Sequence, residues 1–149
     1  MSELPDELDV EYQLTRFVRR VRMSSLNTLG DIHPQLDYGA YLFFIAICDA
    51  QTGIRASELA ERLQVHKSTA SRAIASLSTL DLIDRVPDPD DGRAQLLVAS
   101  PEARERLQIH RVRRRERFAH VLEGWAEGEL QQLALMLDRL NDAAERAGV

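Results

Sequence analysis

The chain is expected to be mainly α-helical with one small β-hairpin, on three observations. Apolar residues recur at helical spacing near both ends and through the middle. Two short helical segments lead directly into two β-type runs, Leu82–Val86 and Gln95–Val98, that flank a tip dense in turn formers. The order is therefore helix, helix, paired short helices, hairpin, helix, helix, with long helices at the two ends of 149 residues. That length allows one domain with a real core and hardly two.

From about Val10 to Leu29 the apolar positions Leu14, Phe17, Val18 and Val21 alternate with Arg16, Arg19, Arg20 and Arg22. Gly30 to Pro34 breaks that helix. The second helix, roughly Leu36 to Ala50, is apolar nearly all round (Tyr41, Leu42, Phe43, Phe44, Ile45, Ile47) and should be the buried central element. Short helices follow at Ala56–Leu63 and Lys67–Leu80, then the hairpin with its tip Pro87 to Arg93. Ser100-Pro101-Glu102 is a helix start, with a serine cap, proline at the first helical position and an acid in the first turn. That helix runs to about Leu122. Gly124 and Gly128 flank a break around Trp125, and a last helix carries Leu130, Leu133, Leu137 and Leu140.

Composition places the chain in the cytoplasm. The longest apolar run, Ala40–Cys48, is nine residues, whereas a membrane-spanning helix needs about 20. The acidic N-terminus lacks the basic start and apolar stretch of a secretory signal. A single cysteine excludes an intramolecular disulfide and suits a reducing compartment. The net charge of −5 is unevenly spread. Five acids (Glu3, Asp6, Glu7, Asp9, Glu11) occupy the first twelve residues, and six acids with two arginines lie from Glu123 onward; between them stand 13 acids and 17 bases. Local potential near a phosphate outweighs the total, so the acidity does not veto a nucleic-acid partner.

The strongest signal is Ser57 to Arg85. Leu59, Ala60 and Leu63 form the inner face of one short helix, Val65 fills the turn, and Ala70, Ile74 and Leu77 continue the inner face on the next. The small Ala60 and Ala70 allow the close crossing of a helix-turn-helix. The outward face opens with Lys67, Ser68, Thr69, Ser71 and Arg72, short hydrogen-bonding side chains and cations where a recognition helix meets the major groove. His66, just before it, is read as a cap or a phosphate contact. The hairpin would be a wing whose Arg93 reaches a minor groove. Of the nearby Asp84, Asp88, Asp90 and Asp91, Asp91 is the one placed to pair with Arg93 and brace the loop. A solvated turn is the alternative.

With its recognition segment HKSTASRAIASL and wing segment DRVPDPDDGRAQLLVASPEA, the plan resembles the MarR (multiple antibiotic resistance regulator) family over about Val10 to Arg146. Asp91-Gly92-Arg93, followed by Leu96 and Val98, is similar to that family's Asp-x-Arg wing signature; Ala99-Ser100 departs from the usual threonine. The resemblance implies an obligate homodimer with the first and last two helices interlocked, two winged helix-turn-helix lobes and a pseudo-palindromic operator. On that reading residues 1–149 form a single domain, with the winged lobe at about 36–99 and dimerisation helices at about 10–30 and 100–146. The terminal apolar stripes point to a dimer independently, being too extensive for one small core, although packing within the monomer is the alternative.

Many relatives bind an effector between dimer helices and lobe. Here Arg16, His33, Tyr38 and Tyr41 are the residues that would line such a cleft for a small aromatic or phenolic molecule. The arginine-dense stretch Arg104 to Arg117 is read as a solvated face that pairs with the acidic ends. Cys48 lies among core residues and is read as structural; the branch of the family that senses peroxide has its cysteine near the start of the first helix, where this chain has none. His33, His66, His110 and His120 show no metal-binding spacing. No phosphate loop, serine elbow or carboxylate pair marks an enzyme, and no cofactor is implied. The chain is thus expected to be a DNA-binding transcription regulator, a repressor acting as a homodimer on double-stranded operator DNA. The alternative is a winged-helix protein-interaction module without DNA binding.

Overall fold

The structure is a computed structural model that describes residues 9–148. Glu3, Asp6 and Glu7 of the acidic N-terminal cluster lie outside the described residues. Helix α1 (Val10–Leu26) begins on Asp9, whose carboxylate accepts the Tyr12 N–H at 3.0 Å. It ends three residues before the expected Leu29 because the Thr28 hydroxyl donates to the Ser25 and Ser24 carbonyls and competes with the helical ladder. A 3-10 turn at Leu29–Asp31 follows. Asp37 caps α2 (Tyr38–Asp49), its Oδ1 accepting the Ala40 N–H at 2.9 Å. Then come α3 (Ala56–Arg62), α4 (Lys67–Thr79), β1 (Ile83–Pro87), β2 (Gln95–Ala99), α5 (Pro101–Val121) and α6 (Glu127–Ala147).

The chain divides into two compact units, residues 1–111 and 112–149. In the first, α2 supplies the centre of the core, with Phe44 and Ile47 fully buried. Leu59 from α3, Ile74 and Leu77 from α4, Leu82, and Leu97 from β2 close around it. Each such side chain stabilises the lobe by about 1.5–3 kcal/mol. Ala60 and Ala70 are buried where the two short helices meet. Leu42, one residue of the apolar α2 helix, faces out at 44% exposure.

The sheet is an antiparallel hairpin in the register Ile83↔Ala99 to Pro87↔Gln95. Ile54 adds a bridge to Leu97, each amide donating to the other's carbonyl (3.1 and 2.9 Å). Gly53 makes this approach possible. Its φ is +95°, and a Cβ there would stand 2.9 Å from Leu96 Cβ. Ser100 starts α5 as expected, its Oγ accepting the Ala103 N–H at 3.4 Å while donating to the Asp81 carbonyl at 3.0 Å.

The long helices contrast with this lobe. Neither α1 nor α6 has a buried residue. Phe17, Val18 and Val21 on α1 are exposed, as are Leu133, Leu137 and Leu140 on α6. No helix of the described residues is long and apolar enough to cross a membrane.

Candidate nucleic-acid interface

Two local features aim α4. Gln64 adopts a left-handed conformation (φ +52°), and the Val65 N–H donates back to the Ala60 carbonyl at 3.0 Å, so the chain turns sharply between α3 and α4. Burial of Ala70, Ile74 and Leu77 then rolls the opposite face outward. Lys67, Ser68, Thr69, Ser71 and Arg72 are all exposed, as is His66. The backbone of His66 takes the N-cap position, its carbonyl accepting the Thr69 and Ala70 amides at 2.9 and 3.1 Å, while its imidazole makes no capping bond. The first two turns of α4 thus present hydroxyls, a lysine and an arginine beside the positive end of the helix dipole.

The wing tip holds Arg93 exposed. Asp91 does brace this loop, but through the backbone: its Oδ1 accepts the Arg93 N–H at 3.1 Å, not the guanidinium. The main ion pair comes from elsewhere. Arg55, just before α3, places Nη2 2.5 Å and Nε 2.8 Å from Asp88 Oδ2, and Nη2 3.7 Å from Asp91 Oδ2. Asp88 is only 6% exposed. Its carboxyl is held below the usual carboxylate range, first by the Asp90 N–H and then by the Arg55 guanidinium. One of the four wing aspartates is therefore neutralised and withdrawn from the surface that DNA would meet. Neither Arg55 nor the Asp88 pairing was legible in the sequence.

The residues expected around an effector cleft are only partly brought together. Tyr38 and Tyr41 have ring centroids 6.2 Å apart. Tyr41, however, is 3% exposed and belongs to the core, edge-on to the buried His110 at 5.8 Å. His33 is half-buried, and its Nδ1 accepts the Gln35 N–H at 3.1 Å. Arg16 is exposed on α1, whereas the guanidinium stacked on Tyr38, 5.3 Å from the ring centroid, belongs to Arg22.

Cys48 is half-buried, and desolvation pushes its thiol up to about 11 despite the counteracting Arg104 and Arg111. It stays a neutral thiol near pH 7. Within the arginine-dense helix, Arg106 pairs with Glu102 and donates to the Ile32 carbonyl at 3.2 Å, and Arg111 pairs with Asp49 at 2.7 Å. These partners lie in α5, the turn after α1 and α2 rather than at the acidic chain ends. Among the described residues no group of three His, Cys, Asp or Glu side chains could hold a metal ion.

The family model of the MarR family matches residues 35–94, from before α2 to the wing. A curated relative, named as the uncharacterized HTH-type transcriptional regulator YxaD of Bacillus subtilis (strain 168), is 33% identical over 142 residues, 95% of this chain and 96% of its own. The chain belongs to the MarR family. Its relatives are transcriptional regulators and not enzymes. The winged-helix architecture of this MarR-family chain is shared with solved structures. Streptococcus pneumoniae FabT in complex with DNA superposes with a TM-score of 0.76 at 22% identity, covering 93% of this chain and 96% of FabT. RV1404 from Mycobacterium tuberculosis superposes with a TM-score of 0.75 at 22% identity, covering 96% and 97%.

Proposed function

We propose that this MarR-family regulator is a cytoplasmic repressor that binds double-stranded, pseudo-palindromic operator DNA as a homodimer. The observation that carries the reading is the exposed polar start of α4 beside a hairpin with Arg93 exposed at its tip. Ser68, Thr69 and Arg72 read base edges in the major groove, His66, Lys67 and Ser71 hold phosphates, and Arg93 enters the minor groove. The DNA in the FabT complex supports the assignment by fold.

The winged lobe, at about 36–99, does the reading, and helices at about 10–30 and 100–146 join two copies. The exposed apolar stripes of α1 and α6 support that division, since an obligate interface typically buries about 2,000 Å² or more. Two-fold symmetry would set the recognition helices roughly 34–36 Å apart, one turn of DNA. Nuclease footprinting on the intergenic DNA beside the gene should show two protected half-sites one helical turn apart. No protection and no gel shift would leave a winged-helix protein-interaction module as the better reading.

A small aromatic or phenolic effector would release the operator by binding near Tyr38, with His33, Arg16 and Arg22 around it and Tyr41 as the floor. Stacking of a cation on the Tyr38 ring supports a site for an aromatic anion. Isothermal titration with phenolic acids should give heat and weaken operator binding; absence of both would remove the effector.

A further inference from the structure

We propose that Arg55 positions the wing: its guanidinium clamps the helix-turn-helix to the hairpin through Asp88 and Asp91, and so sets where Arg93 stands relative to α4. This rests on the DNA-binding reading above. The backbone that carries Arg55 is fixed from both sides. On one side Ile54 exchanges both backbone hydrogen bonds with Leu97 of β2. On the other, α3 begins at Ala56, and the Arg55 N–H donates to Glu58 Oε2 at 3.3 Å. From this anchor the side chain reaches across 33 residues of sequence to the base of the wing loop.

Both carboxylates it meets pass the constraint on. Asp88 gives Oδ2 to Arg55 and Oδ1 to the Asp90 N–H at 2.9 Å, and its own N–H pairs with the Ala94 carbonyl at 3.1 Å. Asp91 turns Oδ2 toward Arg55 and gives Oδ1 to the Arg93 N–H. A route of hydrogen bonds and ion pairs therefore runs from the start of α3 to the backbone of Arg93. A two-stranded hairpin is otherwise marginal in water. Two guanidinium nitrogens converge on one oxygen of a buried carboxylate, a charge-assisted contact that fixes geometry rather than decorating a surface. Arg55 is a positioning residue: two of its donors are committed to Asp88, and DNA contact belongs to Arg93.

Asp88→Asn tests the clamp because the two explanations differ in sign. Removing an acid near DNA should tighten binding by simple electrostatics. The clamp instead requires about tenfold weaker operator binding. In an Arg93→Ala background the same substitution should then have no further effect, since the wing contact is already gone. Arg55→Lys should behave like Asp88→Asn, because lysine keeps the charge but lacks the fork; it carries the same tests if Asp88→Asn does not fold. A readout independent of DNA is tryptic cleavage after Arg93, followed by mass spectrometry in the folded protein, which should accelerate about tenfold when the clamp opens. Operator affinity of Asp88→Asn equal to or above wild type overturns the clamp. If wild type binds no operator, the DNA reading falls, and unchanged cleavage after Arg93 then overturns the clamp as well.

Discussion

Phe44 in α2 and Phe17 in α1 are the same residue in opposite circumstances: the first is fully buried, the second 47% exposed. The difference extends to their surroundings. The lobe from α2 to β2 closes its core within one chain, whereas neither α1 nor α6 has a fully buried residue. A helix with an exposed apolar stripe gains stability when a further surface covers it. The lobe core is therefore closed within one chain, whereas the apolar stripes of α1 and α6 stand exposed on it.

That contrast can be broken most forcefully at its two poles. Phe44→Ala should cost about 3–5 kcal/mol in chemical denaturation, by the same amount at every protein concentration. Leu137→Asp should leave the lobe folded but shift sedimentation to monomer and abolish the concentration dependence of the wild-type melting temperature. A monomeric wild type with a concentration-independent melt would dissolve the comparison. Next in size, Gly53→Ala should destabilise the lobe by about 1–3 kcal/mol through its positive φ and the collision with Leu96, with sedimentation unchanged.

Smaller effects sharpen the comparison by separating reading from assembly. Arg72→Ala should weaken operator binding by about 1–3 kcal/mol and relax specificity at one base position. Arg93→Ala should lower the salt slope by about 1. Neither should alter the sedimentation coefficient. The smallest effect is on pH. Asp88 is held below its unfolded value, so its contribution is fully present above that value and is lost as pH falls through the folded one. Melting temperature against pH should accordingly fall less steeply on the acid side in Asp88→Asn than in wild type.

Most of the lobe was legible from periodicity alone. Leu59, Ala60, Ala70, Ile74 and Leu77 are buried where their spacing puts them, and Lys67 to Arg72 are exposed for the same reason. What stayed hidden depends on contacts across sequence. Arg55 precedes a helix in a stretch that reads as ordinary polar surface, and nothing in it announces a partner at Asp88. His110 sits among arginines yet is 1% exposed, because it continues the buried face of Ala103 and Leu107 on α5 and packs edge-on to Tyr41. Arg22 is the cation stacked on Tyr38, whereas Arg16, expected to line an effector cleft with that ring, is exposed on α1. Leu42 was grouped with the core because an all-apolar helix gives periodicity nothing to select by.

The hairpin also bears on how the lobe avoids pairing edge to edge with another strand. β2 is occupied on both sides, by β1 and by Ile54, so β1 is left as the outer strand. It carries exposed Asp84 and Arg85 and finishes on Pro87, which has no amide hydrogen to offer. A neighbouring strand finds there charges and a missing donor instead of a template. Edge-to-edge pairing between two such hairpins is thereby disfavoured.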